Sequence, residues 1–396
     1  MGKGKVNILF LSHHAELGGG EIDLLEFLKA MDRNRFDPIV FVGCKGPLKE
    51  RSVALGVRTE TLCLPEYFIT LKRDPLRKNS LFSLLKITLV FIQLVKKIER
   101  IITEHNIDIV YANTAKSACL GIPAAEKTGT ESIWRLHDCL TNEFYGKFYL
   151  WFIKRMTRPV NSVICVSEMV KEEYLKFAGK NDAQKAEVVS NGVDLQEFRP
   201  DRQNETLKKS LAKKEECIIT LIGRLEPWKG QEIFIRAAGL ALEKNPNLKF
   251  LIIGGALFGR KEYEDKLKVL IEGLGLQGKV VLLGFRSDIS EIMAISNIIV
   301  HTSYLPEPFG RDVMEAMACG KPVISTDIGG PKEILTPDTG ILIEPKRPDI
   351  LADEIIKLIN DPARIELLGK NARRRAEELF DIKKITKKIE EILLSL

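Results

Sequence analysis

The sequence lacks most features of exported, metal-binding or nucleic-acid-binding proteins. Its seven cysteines are scattered over 396 residues without a C-x-x-C pair, which indicates reduced thiols in a cytoplasmic protein rather than disulfides or a zinc site. The apolar run Val6 to Leu11 breaks at Ser12, so it does not predict a secretory signal. A net charge of +6 is smaller than nucleic-acid binders usually carry. We therefore expect a cytoplasmic protein without a nucleic-acid partner.

Long uninterrupted apolar runs are also missing. The segment from Asn79 to Val95 comes closest, but Lys86 and Gln93 interrupt it, and a membrane-spanning helix needs about 20 mostly apolar residues. This pattern favours a core-facing helix of the first domain. Four basic residues precede it: Lys72, Arg73, Arg77 and Lys78. Basic and apolar residues in this order also suit peripheral contact with an anionic membrane, here the inner membrane face.

What recurs along the chain is a short β-branched run, a polar or glycine-rich turn and a stretch of helical period. This alternation is typical of parallel sheets with crossover helices. The apolar runs predicted as strands are 6–11, 39–42, 107–111, 132–136 and 163–166 in the first half, and 218–222, 250–253, 280–283, 298–300 and 322–325 in the second. Each half therefore predicts its own doubly wound α/β domain.

A polar segment from Asp194 to Glu216, which contains Pro200, separates the two halves and predicts a linker. We place the first domain at residues 1–196 and the second at 197–378. Residues 379–396 carry apolar side chains at helical spacing from Ile382 onward, so this last helix needs a surface to cover. We expect it to return to the first domain.

Two carboxylates eight positions apart, Glu307 and Glu315, bracket a proline and a glycine. Glu307 would lie in the loop after a strand and Glu315 on the helix that follows. The amides at the start of that helix would face an anionic or hydroxylated ligand. Carboxylates placed in this way accept paired hydrogen bonds from sugar hydroxyls, although two Glu residues at this spacing are also common on solvated helices.

Two cations stand at the end of another predicted strand. Arg224 and Lys229 lie in a turn, residues 223–230, that directly follows the run Ile218 to Ile222 and opens a helix. This position is the carboxyl edge of a parallel sheet, where ligands bind. An Arg fork and a Lys point charge together suit a diphosphate and the negative charge that it gains when its substituent leaves.

An Asp-x-Asp pair is absent from the sequence, so a divalent-metal diphosphate site has no candidate ligand pair. We expect no metal and no bound cofactor. The protein's own cations would then offset the charge of the leaving diphosphate.

These residues resemble the retaining glycosyltransferases of family four, which have two Rossmann-like domains facing a central cleft, the GT-B fold. The resemblance covers nearly the whole chain. It is carried by several motifs in order: Gly18-Gly19-Gly20-Glu21, His137-Asp138, Val166-Ser167-Glu168, 190–194, Arg224 with Lys229, 284–288, Glu307 with Glu315, 315–324 and 329–333. The resemblance implies a hexose-type transferase that uses a nucleotide-diphosphate sugar as donor and a glycan, lipid-linked or small-molecule acceptor, in polysaccharide biosynthesis.

By that resemblance, Arg224 and Lys229 hold the donor diphosphate. Glu307, with the amides of Phe309 and Gly310, holds the hydroxyls of the transferred sugar. Retention would then follow from attack on the same face of the sugar, with the departing phosphate oxygen taking the acceptor's proton.

The resemblance assigns the remaining donor contacts as well. Glu315 holds the ribose, and the backbone near Arg286 meets the base. His137 contacts the 6-hydroxyl of the sugar, while Gly19 and Gly20 let the backbone approach the diphosphate and sugar. The same Gly and His residues also occur as ordinary turn and strand-end residues.

Three other interpretations compete with this one. A sugar-nucleotide epimerase or sugar-phosphate synthase would share this fold, but the two-Glu motif with Gly18 to Gly20 argues against the epimerase. A nicotinamide-dependent oxidoreductase is disfavoured because the glycine cluster lacks G-x-G-x-x-G spacing. A non-catalytic nucleotide-sugar-binding protein is disfavoured by the intact set of candidate residues. Arg311 and Asp312 are open too, since they either tune donor choice or cap the helix predicted to begin at Asp312.

Overall fold

The computed structural model describes residues 4–65, 81–142, 145–255 and 261–396. The chain divides into two compact units. The first unit comprises Met1–Gly192 and Ile382–Leu396, and the second comprises Val193–Asp381. The corresponding limits expected from the sequence were 196 and 378.

The first unit is built on a parallel seven-stranded sheet in the order β3-β2-β1-β4-β5-β6-β7. Its strands are β1 Val6–Ser12, β2 Phe36–Val42, β3 Arg58–Thr61, β4 Ile109–Ala112, β5 Glu131–Leu136, β6 Ser162–Cys165 and β7 Ala186–Val188. Its helices are α1 Gly19–Ala30, α2 Pro47–Ala54, α3 Leu81–Glu104, α4 Ala115–Thr128, α5 Lys147–Thr157, α6 Glu168–Ala178 and, at the C-terminus, α15 Ile382–Ser395. A 3₁₀ turn, Lys180–Lys185, precedes β7.

Alternate residues of β1 enter two separate cores, one on each face of the sheet, because successive side chains of a strand point to opposite faces. Ile8 and Phe10 pack with residues of α1 and α15. Leu9 and Leu11 pack with residues of α3 and α4. Burial on both faces explains why the central strands appear in the sequence as continuous apolar runs.

The second unit repeats the architecture with a parallel six-stranded sheet in the order β10-β9-β8-β11-β12-β13. Its strands are β8 Cys217–Ile222, β9 Leu248–Ile253, β10 Val280–Leu282, β11 Ile298–His301, β12 Val323–Thr326 and β13 Gly340–Ile343. Its helices are α7 Glu205–Leu211, α8 Gln231–Lys244, α9 Lys261–Gly273, α10 Ile289–Ile295, α11 Arg311–Ala318, α12 Pro331–Ile334, α13 Pro348–Ile359 and α14 Pro362–Leu379, with a 3₁₀ turn at Pro227–Lys229.

Both sheets have the strand order of doubly wound nucleotide-binding folds, with the first strand of the unit paired to its second and fourth. The chain direction across the sheet reverses at this point. The reversal lies between β1 and β4 in the first unit and between β8 and β11 in the second. Ligands of such sheets bind beyond the carboxyl ends of the strands at the reversal. The expected α/β class with two Rossmann-like units is therefore confirmed.

The polar segment expected to be a linker is largely built into the second unit. Helix α7 lies within it, and Leu207 and Leu211 pack on the apolar cluster around Ile218 and Leu251. Asn204 caps α7, since its side chain accepts from the amide of Leu207 at 3.0 Å. A polar composition here marks an amphipathic surface helix rather than a free connection.

Helix α15 belongs to the first unit. Ile385, Ile389 and Leu393 of its apolar face enter the core that contains Leu24 and Leu28 of α1. The Glu390 carboxylate, also on α15, accepts from the backbone amide of Asp32 at 2.8 Å. The apolar face of α15 is thus buried against α1 of the first unit.

The apolar segment after the basic cluster forms part of α3, which continues nine residues beyond the predicted end at Val95. Leu94, Val95, Ile98 and Ile101 are buried in the first unit's core, as expected for a core-facing helix. Within the described ranges, every helix is too short or too polar to cross a bilayer. The cluster Lys72, Arg73, Arg77 and Lys78 lies outside the described residues.

Candidate functional site

In the second unit, the candidate donor residues lie where the ends of β8 and β11 meet. Arg224 and Lys229 follow β8, and Glu307 follows β11. Two contacts tie these loops together. Thr302 donates its hydroxyl to the carbonyl of Lys229 at 2.9 Å, and a Cβ on Gly230 would collide with the Thr302 carbonyl. Gly230 also has φ +76°, so a side chain is excluded there for two reasons.

Lys229 and Glu307, which are 78 residues apart in sequence, form a salt bridge. Their side chains are only 11% and 15% exposed, and Ser303 donates to the second Glu307 oxygen at 3.0 Å. Burial works to raise the pKa of Glu307, but the positive charges of Lys229 and His301 hold it well below its ordinary value. Glu307 is therefore an ionised, buried carboxylate.

Arg224 differs from Lys229 in its surroundings. Its side chain is exposed and, in the part of the chain that the structure describes, has no hydrogen-bond or ion-pair partner. Its carbonyl accepts from the side-chain amide of the buried Gln231 at 2.8 Å, which fixes the backbone of the turn. One candidate cation is thus available to a ligand, and the other is engaged with a carboxylate.

His301, which the sequence analysis did not single out, ends β11 and lies behind Glu307. Its Nδ1 is 2.8 Å from Asp312 Oδ2 and its Nε2 is 3.1 Å from Glu307 Oε2. Although burial works to lower it, the charges of Asp312 and Glu307 raise the pKa of His301 to about 9. Asp312 does not cap α11, which begins one residue earlier, because its carboxylate binds this ring instead.

The loop that carries Glu307 packs closely against the backbone of Gly329 and Gly330. The amide of Gly330 donates to the Glu307 carbonyl at 2.7 Å, and a Cβ on Gly330 would collide with the backbone of Phe309. The side chain of Phe309 is buried against Phe380, with ring centroids 6.0 Å apart. In the described part of the chain, the amides of Phe309 and Gly310 donate to no other group. They are free to bind a ligand oxygen at the start of α11.

Glu315 pairs with Arg311 on the same helix, with the guanidinium 2.7 Å from the carboxylate. Burial raises the pKa of Glu315 to about 7, while Arg311 opposes that rise. Arg311, which the sequence left open between two roles, is therefore the charge that keeps Glu315 partly ionised near neutral pH.

Arg286 follows β10, and its guanidinium forms a two-point salt bridge with Asp288. The side chain of Arg286 is thus occupied within its own turn, which leaves its backbone as the candidate contact. The adjacent Phe285 is 73% exposed.

In the first unit, the glycine cluster follows β1 at the reversal point. Glu21 closes this turn by accepting from the amide of Gly18 at 3.2 Å, and its other oxygen lies 3.7 Å from the ring of His14. Gly19 is the first residue of α1. Asn113, which follows β4, donates its side-chain amide to the carbonyl of Gly20 at 3.0 Å.

His137 follows β5 and packs against the glycine turn. Its Nε2 is 3.4 Å from Asn113 Oδ1 and 3.8 Å from Asp23 Oδ2. A Cβ on Gly20 would lie 3.0 Å from the His137 ring. Gly20 therefore lacks a side chain for a second reason besides access to its backbone, because a side chain there would crowd the imidazole of His137.

Arg135 was missed by the sequence analysis because a lone Arg in a strand carries no motif. It is fully buried, and its guanidinium binds Asp23 at 3.2 Å, the Val189 carbonyl at 2.7 Å and the Asn191 side chain at 3.1 Å. It thus ties the end of the first unit's main segment to the carboxylate beside His137.

Two family models match the chain in succession. Residues 17–197 match Glycosyltransferase Family 4, and residues 202–375 match Glycosyl transferases group 1. The crystal structure of Anabaena Alr3699/HepE in complex with UDP and glucose is similar over 98% of this chain and 99% of that one, with 30% identity and a TM-score of 0.84. The chain belongs to the family 4 glycosyltransferases. The resemblance inferred from the motifs is confirmed.

Two curated relatives show how wide the family is. A UDP-Gal:alpha-D-GlcNAc-diphosphoundecaprenol alpha-1,3-galactosyltransferase of Escherichia coli is 27% identical over 75% of this chain and 78% of its own length. A D-inositol 3-phosphate glycosyltransferase of Rhodococcus opacus (strain B4) is 29% identical over 50% of this chain. The match spans only 45% of the length of that second protein.

Proposed function

We propose that this family 4 glycosyltransferase moves a hexose-type sugar from a nucleotide-diphosphate donor to its acceptor with retention of configuration and without a metal. The observation that carries the proposal is the Lys229–Glu307 pair at the strand reversal of the second unit, with the exposed Arg224 in the same turn as Lys229. A partly buried carboxylate paired with one cation, and a second cation in the same turn, suit a donor that has a diphosphate at one end and hydroxyls at the other.

In the proposed reaction, the acceptor hydroxyl oxygen forms a bond to the anomeric carbon while the bond from that carbon to the diphosphate oxygen breaks. The acceptor's proton passes to the departing phosphate oxygen on the same face of the sugar. Arg224 and Lys229 offset the negative charge that develops on the diphosphate. Charge that a metal would otherwise neutralise is thus met by side chains.

The remaining roles follow the geometry of each unit. Glu307 and the free amides of Phe309 and Gly310 would bind hydroxyls of the sugar. Glu315 would bind the ribose, and the backbone at Arg286 the base. For His137 we propose contact with the 6-hydroxyl of the sugar. Support comes from its packing on the glycine turn, where Gly19 is exposed and Gly20 is partly exposed.

A thermal-shift screen of nucleoside diphosphates and nucleotide sugars tests the donor class. UDP and UDP-glucose are the first probes, since the similar Anabaena protein binds UDP and glucose. A ligand at 100 times its Kd should stabilise the fold by about 2.7 kcal/mol. Proton NMR of the product then reports whether the α or β configuration of the donor is kept. Lack of stabilisation by every nucleotide, or an inverted product, contradicts the proposal.

For the acceptor we propose a lipid-linked or membrane-proximal molecule, reached while the first unit lies on an anionic membrane at the cytoplasmic face. Helix α5 supports this proposal. Phe148 and Trp151 are 41% and 60% exposed and their rings lie 5.6 Å apart. Exposed basic residues share this helix: Lys147, Lys154, Arg155 and Arg158, the last one its C-terminal cap. The helix contains no Asp or Glu.

Helix α3 extends this apolar surface. Phe91 of α3 contacts Phe152 of α5, with ring centroids 5.4 Å apart, and Leu89 and Ile92 of α3 are exposed. Aromatic and aliphatic side chains among basic ones suit the interface of an anionic bilayer, where each cation contributes about 1 kcal/mol.

Co-sedimentation with phosphatidylglycerol and phosphatidylcholine vesicles over a salt series tests the membrane proposal. We expect binding to the anionic vesicles that weakens with salt and is lost in the double variant Phe148→Ser and Trp151→Ser. The matched control is Val269→Ser on α9, which removes an exposed apolar side chain from the second unit. Equal recovery with both lipids, or unchanged binding of the double variant, contradicts the membrane contact but not the transferase activity.

A further inference from the structure

The second unit contains a chain of alternating charges that the proposed reaction uses only at one end. Asp312 contacts one nitrogen of the His301 ring, the other nitrogen faces Glu307, and Glu307 reaches Lys229. His301 is 3% exposed, and the two carboxylates are 11% and 15% exposed. His301, Glu307 and Asp312 lie within residues 301–312, and Lys229 lies in the turn after β8, so the fold brings two distant stretches together.

The surroundings of His301 favour the charged ring. Asp312 Oδ2 lies 2.8 Å from Nδ1 and Glu307 Oε2 lies 3.1 Å from Nε2, and a carboxylate close to each nitrogen favours a proton on both. Elsewhere on α11, Arg311 and Glu315 pair with each other. The charges that face the ring are therefore those of Asp312 and Glu307, with Lys229 beyond Glu307.

A difficulty arises when the donor binds. Lys229 is paired with Glu307 in the structure, yet the proposed reaction places the same ammonium on the diphosphate. A buried carboxylate that loses its counter-ion takes up a proton or moves toward water. Either change would remove the acceptor of hydrogen bonds from the sugar.

We propose that His301, held by Asp312, is a positioning residue that keeps Glu307 ionised and in place while Lys229 serves the donor diphosphate. This inference rests on the proposed function. Glu307 then has one permanent cation, which is His301, and one shared cation, which is Lys229. Asp312 holds the protonated ring in position from its far side.

The geometry around Glu307 fits this role. His301 Nε2 lies 3.1 Å from Glu307 Oε2, yet it forms no aligned hydrogen bond with that oxygen. Lys229 contacts the other oxygen of Glu307, and Ser303 donates to Oε2 at 3.0 Å. When Lys229 moves to the diphosphate, a small rotation of the carboxylate would complete the hydrogen bond from His301.

The charge on His301 is measured directly by ¹⁵N NMR of protein labelled at its five histidines. The variant His301→Gln assigns its signal. In the unaltered protein we expect an imidazolium at pH 8. Asp312→Asn keeps the volume but removes one of the two anions, which should lower the pKa of His301 by about 1–3 units. A His301 signal that titrates near the ordinary value of about 6.5 in the unaltered protein overturns the proposal.

The role in the reaction is measured by the pH profile of kcat/KM for donor turnover. Asp312→Asn should lose activity at a lower pH than the unaltered protein; if the pKa falls by about two units, its rate at pH 8 is about tenfold below its own value at pH 6. The control is Asp353→Asn on α13, which breaks an exposed pair with Lys244. We expect the control to keep the profile of the unaltered protein.

A profile of Asp312→Asn that is lowered equally at every pH, with its basic limb unmoved, would indicate a structural role and overturn the proposal. Failure of the proposed function gives a different result. An unaltered protein that turns over no nucleotide sugar contradicts the proposed reaction, whereas an ordinary His301 titration contradicts only the positioning role.

Discussion

Replacing each of the two candidate cations by methionine separates catalysis from stability. Arg224 and Lys229 are both proposed to contact the leaving diphosphate, so each loss should reduce kcat by about 10²–10³-fold. Their surroundings differ, however. Lys229 is the buried counter-ion of Glu307, and Arg224 is exposed without a partner in the described structure. Only Lys229→Met should therefore also destabilise the fold.

The size of the stability change follows from what remains around Glu307. Removal of one partner of a buried ion pair typically costs about 3–5 kcal/mol. The pair is only partly buried, and His301 and Ser303 still contact Glu307 Oε2, so we expect a smaller cost than that range, about 2–3 kcal/mol. For a unit of this size, that is a fall in Tm of about 4–12 °C. Arg224→Met should stay within about 0.5 kcal/mol of the unaltered protein.

The stability difference between Lys229→Met and the unaltered protein should depend on pH. The pKa of Glu307 is depressed in the folded state, so its ion pairs stabilise the fold above the unfolded pKa of about 4.3 and are lost progressively as the pH falls below it. The Tm difference between Lys229→Met and the unaltered protein should therefore be largest above pH 5 and narrow below pH 4. Calorimetry from pH 3 to pH 8 measures it. Equal Tm values for the two methionine variants at pH 7, or kcat near that of the unaltered protein in both, would refute the reasoning.

Three further predictions concern other parts of the site. Gly20 lies in α1, and Gly20→Ala adds a Cβ 3.0 Å from the His137 ring, so kcat should fall. Tm should stay the same or rise, since Ala favours a helix. An unchanged kcat would argue against a role for the imidazole. Arg311→Gln should raise the pKa of Glu315 further above about 7, because Arg311 opposes that rise. The acid limb of the pH profile of kcat/KM should then move to higher pH, and the KM for the donor should rise. An acid limb that does not move would argue against Glu315 as a donor contact. Activity should survive EDTA, because the chain has no Asp-x-Asp pair and offers two cations instead; loss that Mg²⁺ or Mn²⁺ restores would contradict metal independence.

The strands that the sequence missed are all edge strands. The central strands were found because parallel strands buried on both faces appear as apolar runs, and the edge strand β10 was found because its run 280–283 is apolar as well. The missed strands are β3, β7 and β13, and each lies at the edge of its sheet. Their sequences are short or mixed, as in Arg58–Thr61, where every residue is at least partly exposed. An edge strand has one neighbour and a less buried surface, so its side chains carry little periodic signal.

Motifs within one segment were easier to recognise than pairs between segments. The turn with Arg224 and Lys229 and the spacing of Glu307 and Glu315 are local patterns, and they pointed to the carboxyl ends of the correct strands. The pairing of Lys229 with Glu307 depends on the adjacency of β8 and β11, which are far apart in the chain. Lys229 was assigned to the diphosphate of the donor and Glu307 to its sugar. Only the three-dimensional structure shows that these two residues form a salt bridge with each other.

The same limit explains why Arg135 and His301 were overlooked. Each is a polar residue next to apolar residues of a strand, and such residues are usually satisfied core groups with no ligand. Their partners, Asp23 and Asp312, lie in the first turns or middle of helices, where acidic residues are ordinary. In both units, however, the buried basic residue contacts a carboxylate of the candidate site or beside it. Arg135 binds Asp23, which lies near His137, and His301 contacts Glu307. A basic residue at the carboxyl end of an apolar strand next to the reversal point is therefore worth testing as a site residue, although only the structure shows which carboxylate it contacts.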